Sequence, residues 1–367
     1  RIRETRDRLE RPFLFENICG YFVPPGTTYS EVEFVMLRWE DIATRWMRRS
    51  LLSTYQLMAV TLWRFTMSGA FRALCRIDVL STLIGIYPVA MMLLYLLIAS
   101  GLAGLTIWLG GMVSGLSGLW FAPLAVIAFL GVFRLTRYID EWTFVYYLMC
   151  DFGFTASHSE GEAPEIEDRI DRFADRIYQD WLLRDCDELL VVGHSSGSSH
   201  AASAVARLIA LGADGRSGPH ISFLTIGQTI PMLSFLPGAQ RIRDELQVLG
   251  QSEAIDWIDV STPADAISYW LTDSVSVSGQ RANGAKRVNP RVYSAKFWTA
   301  ISPEMEATLR RRYFRIHFQY LCAFDRPDDY DFFRITAGPL KLAQYYEDRR
   351  ESPQMKDKVS IQRHLRV

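Results

Sequence analysis

Cysteine is scarce and unpatterned: there are five in 367 residues, Cys19, Cys75, Cys150, Cys186 and Cys322, with neither CxxC nor Cys/His spacing. That argues against a disulfide framework and a zinc site, and reduced thiols in a cytoplasm-facing protein are expected. Net charge is also nearly absent, since 40 basic side chains oppose 41 acidic ones. No global field then draws the chain toward nucleic acid or an acidic partner. No internal repeat or low-complexity tract stands out. The chain starts at Arg1, and no signal peptide is read there, because the first apolar stretch is short and follows an Arg/Glu/Asp-rich dodecamer.

Two local absences say more. From Val79 to Phe133, 55 consecutive residues contain no Asp, Glu, Lys or Arg. A spanning helix needs about 20 apolar residues, so the stretch predicts two spans, near 82–107 and 118–135. The glycines from Gly110 to Gly118 supply the turn, and Pro88 and Pro123 fall in the outer turns. Arg72 and Arg76 precede the first span and Arg134 and Arg137 follow the second, which puts both ends on the cytoplasmic side. The competing reading is a very hydrophobic hairpin buried in a soluble protein. From Thr44 to Ile77 acid is missing instead: Arg45, Arg48, Arg49, Arg64, Arg72 and Arg76 stand among Trp46, Leu57, Trp63 and Phe65. Helices lying in the membrane interface fit that composition, and so do amphipathic helices packed on the main domain.

After the hairpin the pattern becomes α/β. A charged helix (165–183) leads to the apolar strand 187–193, and the alternation continues through helix 198–211, strand 220–227, helix 240–249 and strand 255–260. Such alternation predicts a mostly parallel sheet flanked by helices. The expected divisions are 1–40 (early strands), 41–78 (amphipathic helices), 79–137 (hairpin), 138–346 (α/β domain) and 347–367 (a loose charged tail).

Gly193-His194-Ser195-Ser196-Gly197 is a G-x-S-x-G sequence between an apolar strand and an Ala-rich helix. A nucleophile on a sharp strand-to-helix turn needs small neighbours two residues before and after it, and Gly193 and Gly197 meet that need. The turn puts the Ser196 N–H at a helix N-terminus, where it can hold an oxyanion. The alternative, a phosphate-holding Gly/Ser turn, would want a nearby Lys, and none is there. An acid and then a histidine should follow in the chain. Asp265, in a turn after the strand 255–260, is the best acid; Asp259 and Asp273 compete. Of six histidines only His317 and His364 come later, and His364 lies in the tail, so His317 is the expected base. His194 is expected to pack or hydrogen-bond beneath the bend. The second oxyanion donor is sought at Gly20-Tyr21, with Phe152-Gly153-Phe154 as runner-up. The apolar loop 227–238 reads as an acyl pocket, a lid or plain packing, and the acidic stretch 324–331 as a solvated turn rather than a metal site. No cofactor is expected.

These residues resemble bacterial α/β-hydrolase-fold proteins, lipase- or esterase-like, that carry a hydrophobic hairpin before the nucleophile strand. The likeness rests on Gly193-His-Ser195-Ser-Gly197, on Asp265 in Pro-Ala-Asp-Ala-Ile, on His317 in His-Phe-Gln-Tyr and on the run Glu33 to Asp41. It implies ester hydrolysis through a Ser195–His317–Asp265 triad and an acyl-enzyme. The membrane segment adds a lipid or acyl-ester substrate, a bilayer partner and a multi-pass place in a bacterial inner membrane with the hydrolase domain in the cytoplasm. A homo-oligomer or a membrane-complex partner is a further expectation, and two rivals are an inactive hydrolase-fold scaffold or subunit of a membrane complex and an acyltransferase that uses the same triad.

Overall fold

The computed structural model describes residues 3–5, 15–22, 30–213, 218–281 and 287–365, with side chains from residue 32 onward apart from that of Arg363. Three strands, β1 (Arg3–Thr5), β2 (Phe15–Phe22) and β3 (Ser30–Leu37), form an antiparallel sheet of their own in the order β1-β2-β3. The second sheet holds β4 (Glu188–His194), β5 (His220–Ile226), β6 (Ile255–Ser261) and β7 (Arg291–Ser294), all parallel and in sequential order. The chain is thus α/β, with the strands where the apolar runs predict them.

Five helices precede the parallel sheet's approach: α1 (Glu40–Met47), α2 (Leu51–Met67), α3 (Ala70–Ile77), α4 (Val79–Ser114) and α5 (Ala122–Tyr138). Then come α6 (Asp140–Thr143), α7 (Val145–Ser159) and α8 (Pro164–Leu183), and within the α/β part α9 (Gly197–Ala210), α10 (Ile230–Ser234), α11 (Gln240–Gln251) and α12 (Ser274–Val277). After β7 follow four short helices, α13 (Pro303–Leu309), α14 (Tyr313–Phe318), α15 (Phe332–Ala337) and α16 (Leu342–Tyr345).

Because strand side chains alternate, the parallel sheet feeds two cores. Ile221, Phe223, Ile255 and Trp257 join the core built by α7, α8, α9 and α11, together with Ile42, Leu57 and Phe65 of the early helices. Leu224, Ile226, Ile258 and Val260 face the other way, onto Phe297, Ile316, Tyr320 and Leu342. Three layers result, with the sheet in the middle.

Two helical stretches, Val79–Ser114 and Gly118–Tyr138, are long and apolar enough to cross a membrane, with mean hydropathy of 2.2 and 1.9. At 1.5 Å per residue the 36 residues of α4 reach about 54 Å, well beyond a hydrocarbon core of about 30 Å. The surplus is used as a domain element: Val89, Met92, Tyr95 and Ala99 are buried, and the Tyr55 hydroxyl donates to the Met92 carbonyl at 2.8 Å. Beyond Ala99 large apolar side chains such as Leu105, Trp108 and Val113 are exposed, as are Ile127 and Leu130 of α5.

The hairpin differs from expectation in two respects. The helix runs through Gly110 and Gly111 and breaks only at Gly115, whose φ is +67°. Gly110 and Gly118 serve close packing instead: a Cβ on Gly110 would lie 2.3 Å from the Phe121 ring, and one on Gly118 2.7 Å from the Ile107 carbonyl oxygen. Pro88 sits inside α4 and is buried, not in an outer turn, whereas Pro123 does open α5. Helices α1 to α3 pack on the domain through Ile42, Trp46, Leu57, Phe65 and Leu74, while Leu52, Trp63 and Met67 of α2 stay exposed. The charged tail is not loose. Lys356 pairs with Asp78 at 3.2 Å, and the Gln362 side-chain amide donates to the Ser68 and Phe235 carbonyls.

Candidate active site

Strand β4 runs parallel to β5 with Gly193 opposite Thr225 and His194 opposite Ile226. Its ladder ends when the Ser195 N–H donates to the Ile226 carbonyl at 3.2 Å; the chain then turns sharply and α9 starts two residues later. Ser195 takes φ +56°, a conformation an L side chain adopts only under local constraint. Part of that constraint is visible at Gly193, where a Cβ would lie 2.8 Å from Ser198 Cα and 2.9 Å from Ala201 Cβ, so α9 folds back too closely for a side chain. Gly197 was expected to be needed for the same reason and is not: nothing among the described residues lies within 4 Å of a Cβ placed there.

The later connections deliver their groups to this bend. Ser195 Oγ lies 2.8 Å from His317 Nε2, and His317 Nδ1 lies 2.8 Å from Asp265 Oδ2. His317 comes from α14, and Asp265 from the turn after β6; both are buried. The other carboxylate oxygen of Asp265 accepts the Ile267 N–H at 3.0 Å. Burial presses the Asp265 carboxyl upward, but the His317 imidazole and the hydrogen bonds from His317 and Ile267 outweigh it and hold the group below its ordinary range.

The competing acids are engaged elsewhere. Asp259, inside β6, accepts the Thr225 hydroxyl at 2.7 Å, and burial pushes its carboxyl up to about 7. Asp273 caps α12 and pairs with Arg281. His364 reaches the Phe235 carbonyl at 3.3 Å, away from the bend. The segment 324–331 spends its carboxylates on local order: Asp325 accepts the Ser302 N–H, and Asp331 caps α15. The loop 227–238 is packing, with Ile230, Leu233, Phe235 and Leu236 buried.

Three further groups support the relay, and the first, His194, sits as expected beneath the bend. His194 donates from Nε2 to the His317 carbonyl at 2.9 Å, its ring centroid 4.7 Å from that of His317, and burial lowers it to about 4, so it is a neutral prop for His317. Tyr320, three residues beyond His317, accepts the Thr262 N–H at 3.0 Å and ties the acid turn to the histidine segment. Gly227 turns with φ +52° at the end of β5; a Cβ there would meet the Tyr320 ring at 2.7 Å and Asp265 Oδ2 at 3.2 Å. The His-x-x-Tyr spacing marked Tyr320, but nothing local marked Gly227.

Around the oxyanion position, the Ser196 N–H donates to no group among the described residues. Tyr21 lies in β2 opposite Glu31 of β3, with its side chain outside the described residues. Gly153 lies inside α7, where a Cβ would strike Leu57 at 2.4 Å, so it serves the contact of α7 with α2. Trp39, between β3 and α1, was not singled out as a site residue. Its ring meets that of His200, in the first turn of α9, at 4.8 Å. No protein-family model, curated protein or solved structure matches this chain.

Proposed function

We propose that the chain is a membrane-anchored serine hydrolase of the α/β-hydrolase kind, acting on an ester through an acyl-enzyme. The observation that carries this reading is the relay Ser195 Oγ, His317 Nε2, His317 Nδ1, Asp265 Oδ2, with both links at 2.8 Å and the serine held at positive φ. In that geometry the neutral imidazole accepts the serine proton as Oγ attacks the ester carbonyl, and Asp265 stabilises the imidazolium. The proton then passes to the departing alcohol. Water repeats the sequence on the acyl-enzyme. The Ser196 N–H, at the start of α9, is the oxyanion donor of this reading.

The two apolar helices support anchoring, and Arg72, Arg76, Arg134 and Arg137 at their ends support a cytoplasmic active site. An amphiphilic acyl ester taken from the bilayer is the substrate class that follows. The test is fluorophosphonate labelling of carbonate-washed membranes carrying the full chain, with mass spectrometry of the adduct. Labelling on Ser195, lost in Ser195→Ala at equal expression, is the expected result. Labelling that persists in that variant, or none in the parent, sinks the reading.

A further inference from the structure

The helix that delivers His317 to the bend has a second face. From Ala307 to Phe324 the chain contains no Asp or Glu, and Arg310, Arg311, Arg312 and Arg315 fall within that stretch. Arg310 pairs with Glu306 at 3.5 Å, whereas no carboxylate pairs with Arg311, Arg312 or Arg315 among the described residues. All three are exposed. So are two large aromatic side chains among them, Tyr313 at 47% and Phe318 at 48%. The inner side of the same helix carries Ile316 and His317, both buried. Phe318 joins the two faces, since its ring centroid lies 5.8 Å from that of His317 and 5.3 Å from that of His194.

This outer face adjoins the base of the hairpin. Helix α5 ends at Tyr138, and Tyr138 and Trp142 are each 73% exposed, as aromatic anchors at a membrane surface are. Phe144 follows Tyr138 by six residues, about 9 Å along a helical chain. Its ring lies 4.4 Å from that of Phe314 on α14 and 6.1 Å from that of the exposed Tyr147. Rings therefore lead from the end of the second apolar helix to the catalytic histidine. Arg134, exposed in the last turns of α5, has the same sign of charge as the arginines of α14.

Exposed rings interleaved with unpaired guanidinium groups suit the headgroup layer, where the rings sit among the upper acyl chains and the cations meet phosphates. An excess of Arg over acid selects a surface of negative charge. Resting on the reading of Ser195 as nucleophile and of the hairpin as its anchor, we propose that α14 and the arginines before it dock on an anionic phospholipid surface. The bilayer is then held at two places, and the Ser195–His317 pair lies at headgroup depth. A lipid ester reaches it along Phe314 and Phe318 without crossing bulk water.

The test is photocrosslinking of the full chain in nanodiscs of phosphatidylcholine with one quarter phosphatidylglycerol. The photoreactive p-benzoylphenylalanine replaces Tyr313, Phe318 or, as control, Leu183, which is exposed just before β4 at the end of the sheet opposite Ser195. Mass spectrometry should find phospholipid adducts at 313 and 318 and none at 183. Phosphatidylglycerol should be enriched in them about threefold over its share of the bilayer. With Arg311→Gln, Arg312→Gln and Arg315→Gln combined, at unchanged melting temperature, the enrichment should disappear. No more lipid at 313 and 318 than at 183, adducts with a second protein chain in place of lipid, or no enrichment that depends on the arginines overturns the proposal. The same adducts are expected in Ser195→Ala, so docking stands or falls separately from the hydrolase reading, which the fluorophosphonate label tests.

Discussion

Exchanging Asp265 for Asn tests the relay more sharply than removing the serine does, because the shape of the site is kept. Asp265 uses both oxygens, one for the Ile267 N–H and one for His317 Nδ1, and it is fully buried, so water is not available to replace either contact. An asparagine has a single acceptor. If its oxygen stays on Ile267, the amide NH2 faces Nδ1 and selects the tautomer with a proton on Nε2, which cannot accept the Ser195 proton. If the oxygen turns to His317, two donors meet at Ile267, a buried conflict worth about 1–3 kcal/mol. The first arrangement removes the base, and in a serine–histidine–aspartate triad that exchange costs about 10,000-fold, roughly 5 kcal/mol of barrier. The assay is the second-order rate of fluorophosphonate labelling at neutral pH, with thermal melting as the check on folding. Asp259→Asn, which alters a buried acid outside the relay, should label near the parental rate. Should Asp265→Asn label as fast as the parent while melting normally, the assignment of this acid is wrong.

Other substitutions read the fold around the site. Gly193→Ala should lower stability by about 1–3 kcal/mol, because its Cβ would overlap Ser198 and Ala201, whereas Gly197→Ala should leave the melting temperature nearly unchanged. Equal melting of the two variants would contradict the packing of α9 on the end of β4. Asp259 gives a pH signature. Its folded-state value of about 7 exceeds an unfolded value of about 3.9, so the folded protein holds that proton more tightly and stability is lost as pH rises from about 4 to about 7. Asp259→Asn escapes that loss, so its melting advantage over the parent should be larger at pH 8 than at pH 5, by a few kcal/mol at most. An advantage independent of pH would mean that the carboxyl is not strained by burial.

Much of the site was legible because its chemistry is local or ordered along the chain. Glycine two residues before a serine, a strand in front and an Ala-rich helix behind specify a bend regardless of what surrounds it. The uncharged stretch likewise specifies two apolar helices by length and composition alone. Asp265 and His317 were reachable through their order after Ser195, although three acids remained open until the turn after β6 was seen to meet α14. That α4 buries one face through Val89, Met92, Tyr95 and Ala99 and none of its large apolar side chains beyond was not legible, since both parts are uniformly apolar and differ only in what lies beside them.

By itself, then, the sequence determined the elements: three apolar strands, the helices between them, a bend at Ser195 and an uncharged hairpin, all set by patterns along contiguous stretches of the chain. Only the tertiary structure decided which acid meets His317, that the Tyr320 hydroxyl ties the turn after β6 to the His317 segment, and that Gly227 must lack a side chain. Those facts depend on segments far apart in the chain, and no local periodicity records the approach of one side chain to another across such a distance.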